Sequence, residues 1–197
     1  MSDPHQREPL TDEGAAGIAG FAFELGVMKS LRRTGWAHVG IRDSETISEH
    51  SLRVAQLAAL IAAEEGADPA RAAFLAIWHD TQETRTGDLP HTARPYMTTP
   101  IEAEAITADQ VRRLPETAAK TVTEAVREFE AQATIEAVCA RDADKLECLL
   151  QALEYKAAGH TKVDGWIASS QKNIKTETAR TIAAAAQTTS TLAWRDR

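Results

Sequence analysis

Apolar residues recur at helical spacing through most of the chain. Across residues 15–32, Ile18, Phe21, Leu25, Met28 and Leu31 fall at three- and four-residue steps, which line one helix face. Asp12 is the expected N-cap of this helix. Residues 34–46 form a polar connection containing Gly35, Trp36 and Gly40, long enough to reach over a pocket. Ser48 is the expected N-cap of a helix to about residue 65, with Leu52, Ala55, Ala59 and Ile61 inward. Gly66-Ala67-Asp68-Pro69 ends it and starts another, because proline is tolerated in a first turn. That helix carries Phe74, Leu75, Ile77 and Trp78 into His79-Asp80-Thr81-Gln82-Glu83, and Gly87-Asp88-Leu89-Pro90 breaks the pattern. Beyond it, Thr99-Pro100 signals a helix to about 113, followed by helices over 115–132 and 134–158. The 134–158 helix carries Val138, Leu146, Leu149, Leu150 and Leu153; residues 159–165 turn the chain into a last helix over 166–186.

The class this predicts is all-α, and abundant alanine with few β-branched runs agrees with it. With 197 residues and 43% hydrophobic positions, the chain is expected to build one core. The expected division is a flexible 1–13, a single domain over 14–187, and a tail over 188–197. A formal net charge of −7 argues against a nucleic acid polymer as partner, since phosphate neutralisation drives that binding. Arg32-Arg33 and Arg112-Arg113 are enough to hold a single phosphate. Cys139 and Cys148, inside one helical stretch, are expected in the core as small apolar side chains rather than in a disulfide or metal site. No apolar run approaches a membrane span, and the polar N-terminus has no signal-like core, so no membrane partner and a cytoplasmic location are expected.

Candidate chemistry centres on His79-Asp80. Neighbours on a helix point about 100° apart, so both reach one ion only when it lies over the helix edge. A histidine nitrogen with an aspartate oxygen suits Mn, Fe, Co, Ni or Zn better than Ca. Glu83 falls on the same side if the helix continues, where a carboxylate can orient water or relay its proton. Two neighbours cannot build a site alone, and helical bundles recruit further ligands from other helices. His50, 29 residues earlier, and Asp144, 64 residues after Asp80, are the candidates.

Four segments, RTGW (33–36), ETISEHSLRVA (45–55), WHDTQETRTGDLP (78–90) and DADKLECLLQALEY (142–155), together resemble the HD superfamily of metal-dependent phosphohydrolases. They are most similar to its 5′-deoxynucleotidase-like branch, which includes the YfbR type and the HD-domain-containing protein 2 type. The resemblance covers roughly residues 20–160. It implies an HD-domain helical bundle holding one divalent transition metal between helices, with His50, His79, Asp80 and Asp144 as ligands. It implies Glu83 and Asp88 as the catalytic acids around the attacking water, and Arg33 and Trp36 as substrate-binding residues near phosphate and sugar. The implied substrate is a nucleoside 5′-monophosphate and the implied assembly a homodimer. A pathway-specific phosphatase for a modified nucleotide or a nucleoside di- or triphosphate is the alternative, as is a catalytically silent nucleotide-binding module. Thr84 stands where alarmone hydrolases of the superfamily place an aspartate, which counts against such a substrate.

Simpler readings stand beside these. His50 can be a solvent-facing residue at a helix start, and Asp144 an ordinary surface acid. Asp142 competes with Asp144 for the ligand position, although a two-residue shift rotates a side chain about 200° around the helix. Arg33 can serve the C-terminal dipole of the preceding helix, Trp36 can anchor its loop to the core, and Asp88 can be a turn residue beside Gly87. His5, His38, His91 and His160 read as surface histidines.

Overall fold

A computed structural model describes residues 9–98 and 102–195. Nine α-helices and short 3-10 turns account for the regular structure among the described residues, which contain no strand beyond an isolated Arg32–Thr46 bridge. The helices are α1 (Asp12–Gly26), α2 (Ile47–Glu64), α3 (Pro69–Trp78), α4 (Glu83–Thr86), α5 (Ala103–Gln110), α6 (Glu116–Ala131), α7 (Ile135–Ala157), α8 (Asp164–Asn173) and α9 (Glu177–Ala186). The expected helix start at Thr99-Pro100 lies outside the described residues.

The long α7 is the axis of the bundle, with α2, α3, α6, α8 and α9 packed around it. Alanines make that proximity feasible: Ala58, Ala62, Ala72, Ala76, Ala140, Ala143 and Ala152 are fully buried where these helices meet. Between them Ile61, Leu75, Leu146 and Leu149 are also fully buried, each contributing about 1.5–3 kcal/mol by leaving water. A smaller cluster of Phe21, Val111 and Val122 attaches α1 to the α5–α6 side, with Phe21 stacked on Trp78 at 6.2 Å.

Local signals explain the helix starts. Thr46, not Ser48, caps α2: its hydroxyl accepts the Glu49 N–H, and the Glu49 carboxylate accepts the Thr46 N–H at 2.6 Å. Thr11 likewise replaces Asp12 as the cap of α1. Asp68 caps α3 with Pro69 in its first turn. The inward face of α2 runs through His50, Val54, Ala58 and Ile61, while Leu52, expected inside, is 63% exposed. Ile18 on α1 is exposed as well.

Two helical expectations break. The helix expected over 166–186 is split into α8 and α9, because the Asp142 carboxylate accepts the backbone N–H of Lys175 and of Thr176 at the joint. The α3 helix stops at Trp78, so His79 to Gln82 form tight turns before the single turn of α4. Cys139 is buried as expected, and Cys148 is half-buried.

Candidate metal centre

Three-residue backbone bonds run through the turn after α3: Thr81 N–H to Trp78 O at 3.4 Å, Glu83 N–H to Asp80 O at 3.1 Å, and Thr84 N–H to Thr81 O at 3.3 Å. In such winding residues i and i+3 eclipse, so Asp80 and Glu83 share a column without any continuing α-helix. Thr81 and Gln82 are buried beneath the turn, where the Gln82 amide donates to Thr107 at 2.8 Å. Gln110 on α5 donates to Thr81 O at 3.0 Å and to Glu24 on α1 at 2.8 Å, fastening the turn to two other helices.

His50, one turn into α2, and Asp144, mid-way along α7, meet this turn. The His50 Nε2 lies 3.5 Å from Asp80 Oδ2 and 3.4 Å from Asp144 Oδ1. The His79 Nε2 lies 3.0 Å from Asp80 Oδ2 and 4.0 Å from Asp144 Oδ1. His50 is fully buried and His79 nearly so, yet neither Nε2 makes a hydrogen bond. Leaving a buried polar atom unpaired costs about 1–3 kcal/mol. Two such nitrogens facing two carboxylate oxygens are what a cation between them would satisfy. Bonds of about 2.1 Å place neighbouring ligand atoms about 3.0 Å apart at right angles and about 3.4 Å apart in a tetrahedron; three of the four spacings are close to that range, and His79–Asp144 at 4.0 Å is wider. His50, His79 and Asp80 are mutually within the spacing of a single cation, and Asp144 stands just outside that group, near both histidines.

Asp142 points the other way, to the α8–α9 joint, which separates it from Asp144 by function as well as by rotation. Both ring orientations are fixed from behind. His79 Nδ1 sits 2.7 Å from Ala76 O, and His50 Nδ1 sits 2.5 Å from the Glu147 carboxylate. Glu147 is wholly buried and is held in turn by Arg53. Sequence reasoning passed over this pair. The available signal was spacing: Arg53 and Glu147 each follow a candidate ligand by three residues, on the same helix face.

Arg33 is 17% exposed and reaches Asp80 at 3.4 Å. The loop that presents it is closed by Arg33 N–H to Glu45 O at 3.0 Å and Ile47 N–H to Leu31 O at 2.9 Å. Asp88 does not touch the histidine cluster through any hydrogen bond; its carboxylate accepts the Thr34 N–H and hydroxyl, pinning the loop beside Arg33. Gly87 makes that turn at φ 72, ψ 165, a region open to glycine alone. Trp36 is 2% exposed. Its ring packs on Trp166 at 5.4 Å and Tyr155 at 5.1 Å, and its N–H donates to Glu45 at 3.0 Å. That placement is the core anchor of the loop, with almost no ring surface left to cover a sugar. His38 and His91 are exposed, and His160 is half-buried against Tyr155 at 6.0 Å. His5 lies outside the described residues.

Burial is the leading effect on every acid of the centre, and neighbours decide the outcome. It pushes the Glu83 carboxyl up to about 9 with help from Asp80 and Asp88, and one Glu83 oxygen has no partner. Glu45 rises to about 7 through burial and Glu147. For Asp80 burial is overcome by His79, His50 and Arg33, which hold it well below the usual range; for Asp144, Lys145 and the two histidines do the same. Burial also opposes a charge on His50, but Asp144 and Glu147 lift that ring to about 10. The centre thus carries a surplus of negative partners around two rings.

The sequence profile of the HD domain matches residues 25–186. A 5′-deoxynucleotidase of Vibrio cholerae is 34% identical over 151 residues, 71% of this chain and 76% of its own. The 5′-deoxynucleotidase HDDC2 of Homo sapiens is 30% identical over 152 residues, 77% of this chain and 74% of its own. Among solved structures, a conserved hypothetical protein of Pyrococcus furiosus superposes with a TM-score of 0.70 at 25% identity, covering 87% of this chain and 99% of its own. Bundle, buried histidine–aspartate cluster and matched segments coincide over the same residues, and the chain belongs to the HD domain family.

Proposed function

We propose that this chain is a metal-dependent phosphohydrolase that removes the phosphate of a nucleoside 5′-monophosphate. The observation that carries the reading is the pair of buried, unpartnered Nε2 atoms of His50 and His79 facing Asp80 and Asp144. Those four residues are the proposed ligands of one divalent transition metal, Co, Mn, Fe, Ni or Zn. The relatives named 5′-deoxynucleotidases supply the substrate class.

When bound, such an ion supplies charge neutralisation at phosphate oxygen and makes water a competent nucleophile at neutral pH. The chain's own groups do the rest. Arg33, held charged by Asp80 and Asp144 against its burial, pairs with phosphate oxygens in a two-pronged grip. Glu83 takes the proton of the attacking water. Its carboxyl, raised by burial and by Asp80 and Asp88, would be lowered by a nearby positive charge, the direction a general base needs. Asp88 keeps Arg33 in place through Thr34 and adds negative charge beside Glu83. Trp36 acts on the substrate only through the loop it anchors. Homodimerisation belongs to the same proposal and rests on the family resemblance; a cytoplasmic location is carried over as the expectation from the sequence. Exposed Phe23, Leu52 and Leu60 are available to such an interface.

The test is a phosphate-release screen across nucleoside mono-, di- and triphosphates, 5′-monophosphates of deoxy- and ribo-sugars included, with each of these metals. Release from a 5′-monophosphate that disappears in Asp80→Asn, with the helical circular dichroism intact, is the expected result. Unchanged turnover in that variant removes the assignment. Release from di- or triphosphates alone moves it to the alternative substrate class.

A further inference from the structure

We propose that Arg53 and Glu147 form an outer positioning unit for His50, and that this unit sets how tightly the centre holds its ion. The proposal rests on the metal-site reading above. Glu147 Oε2 accepts from His50 Nδ1 at 2.5 Å, and neither side chain has any exposed surface. That contact holds a ring proton on Nδ1, so Nε2, which faces Asp80 and Asp144, is the nitrogen available to a cation. Arg53 grips the other oxygen of Glu147 from two nitrogens, at 3.0 and 2.7 Å, and is itself braced by Gln151 and Glu154, each at 2.8 Å.

The arrangement has a simple origin in the sequence. α2 contributes His50 and, three residues on, Arg53; α7 contributes Asp144 and, three residues on, Glu147. Each helix therefore presents one ligand and one member of the unit on the same face. His79 is backed differently, by the Ala76 carbonyl at 2.7 Å. A carboxylate is the stronger acceptor, so it enriches the His50 ring as a donor more than a carbonyl enriches His79. The two histidines are unequal ligands, and the inequality comes from Glu147. A cleft of about 410 Å³, lined by Arg32, Glu49, Gln151 and Tyr155 among others, leads from solvent to Arg53. The outermost part of the unit is thus open to substitution without opening the core.

The experiment measures cobalt(II) and zinc(II) affinity of the full-length protein by chelator competition, with the cobalt(II) absorption spectrum as a second readout. Glu147→Gln is expected to weaken both metals about 10- to 100-fold and to shift the cobalt bands. Arg53→Met is expected to weaken them on the order of tenfold, with Arg53→Lys in between. The double variant should be no weaker than Glu147→Gln, because Arg53 acts through Glu147. Arg71→Met, which breaks an ion pair with Glu128 elsewhere, should leave the affinity unchanged. If Glu147→Gln does not fold, Arg53→Met decides alone, its side chain being 30% exposed. Wild-type affinity in folded Glu147→Gln or in Arg53→Met overturns the proposal. A wild-type protein that binds neither metal overturns it together with the metal site. A wild-type protein that binds metal but hydrolyses no nucleotide removes only the proposed reaction and leaves this test standing.

Discussion

Asp142 and Asp144 are two residues apart on one helix, both buried, and they hold different parts of the molecule together. The Asp142 carboxylate accepts backbone N–H groups of Lys175 and Thr176 at 2.6–3.0 Å. Asp144 faces the two histidines. Replacing Asp142 by Ala leaves the two N–H groups unpaired at the α8–α9 joint, at a cost of about 1–3 kcal/mol each. Urea unfolding of Asp142→Ala should show that loss while the protein still takes up metal at unit stoichiometry. Asp144→Ala should keep most of its stability and lose the metal. The reverse pattern would reassign the ligand. Spacing alone ranks neither residue, because both lie in a helix with apolar neighbours on several sides; the packing of α9 on α7 separates them.

Among the elements, α1 docks by a close backbone approach as well as by the Phe21 cluster. A Cβ on Gly17 would sit 1.9 Å from the Arg113 carbonyl oxygen, whereas one on Gly20 would meet nothing within 4 Å. Helix propensity favours alanine over glycine by about 1 kcal/mol at both positions. Gly20→Ala should therefore raise the thermal midpoint. Gly17→Ala should lower it, since forcing apart a close-packed contact costs about 1–3 kcal/mol, more than the propensity gain. Equal shifts in the two variants would mean that α1 does not pack on the α5–α6 connection as described. Most helices were readable from the period of apolar residues, and several ends from turn residues such as Gly66 and Pro69; the caps of α1 and α2 and the α8–α9 break were not. Thr46 outcompetes Ser48 because Glu49 falls three residues after it and closes a reciprocal cap. The turn at His79–Gln82 is invisible to periodicity, since i and i+3 positions agree in both kinds of helix.

Over the whole molecule, the centre dominates the response to pH and metal. Glu45, Glu83 and His50 sit at about 7, 9 and 10 in the metal-free protein, against ordinary values of 4.5, 4.5 and 6.5. The folded state therefore binds more protons than the unfolded chain from about pH 5 upward, and metal-free stability falls as pH rises toward 9. Asp80, Asp144, Glu147 and Glu24 are shifted down, and their contribution is lost as pH falls below the ordinary carboxylate range. Metal binding needs deprotonated ligands, so its stabilisation grows with pH. Thermal melts at pH 5, 7 and 9, with and without saturating zinc(II), should show a gap that widens with pH. A constant or narrowing gap would contradict the cluster as a metal centre.

The all-α class, the order of most helices and the two histidines and two aspartates of the centre were legible in the chain alone. Apolar period marks most of the buried face of a helix, Leu52 and Ile18 excepted, and His50, His79, Asp80 and Asp144 fall within segments recognisable as a family pattern. Tertiary structure decided the rest, because it depends on groups far apart in the chain. Only packing shows that Trp36 is buried between Trp166 and Tyr155. Only packing ties the Asp88 carboxylate to Thr34, 54 residues away. It also sets Glu147 behind His50 across 97 residues, and fixes Asp142 on the far side of the helix that carries Asp144. The carboxylates look alike in sequence; what each one does is set by the donor that folding places against it.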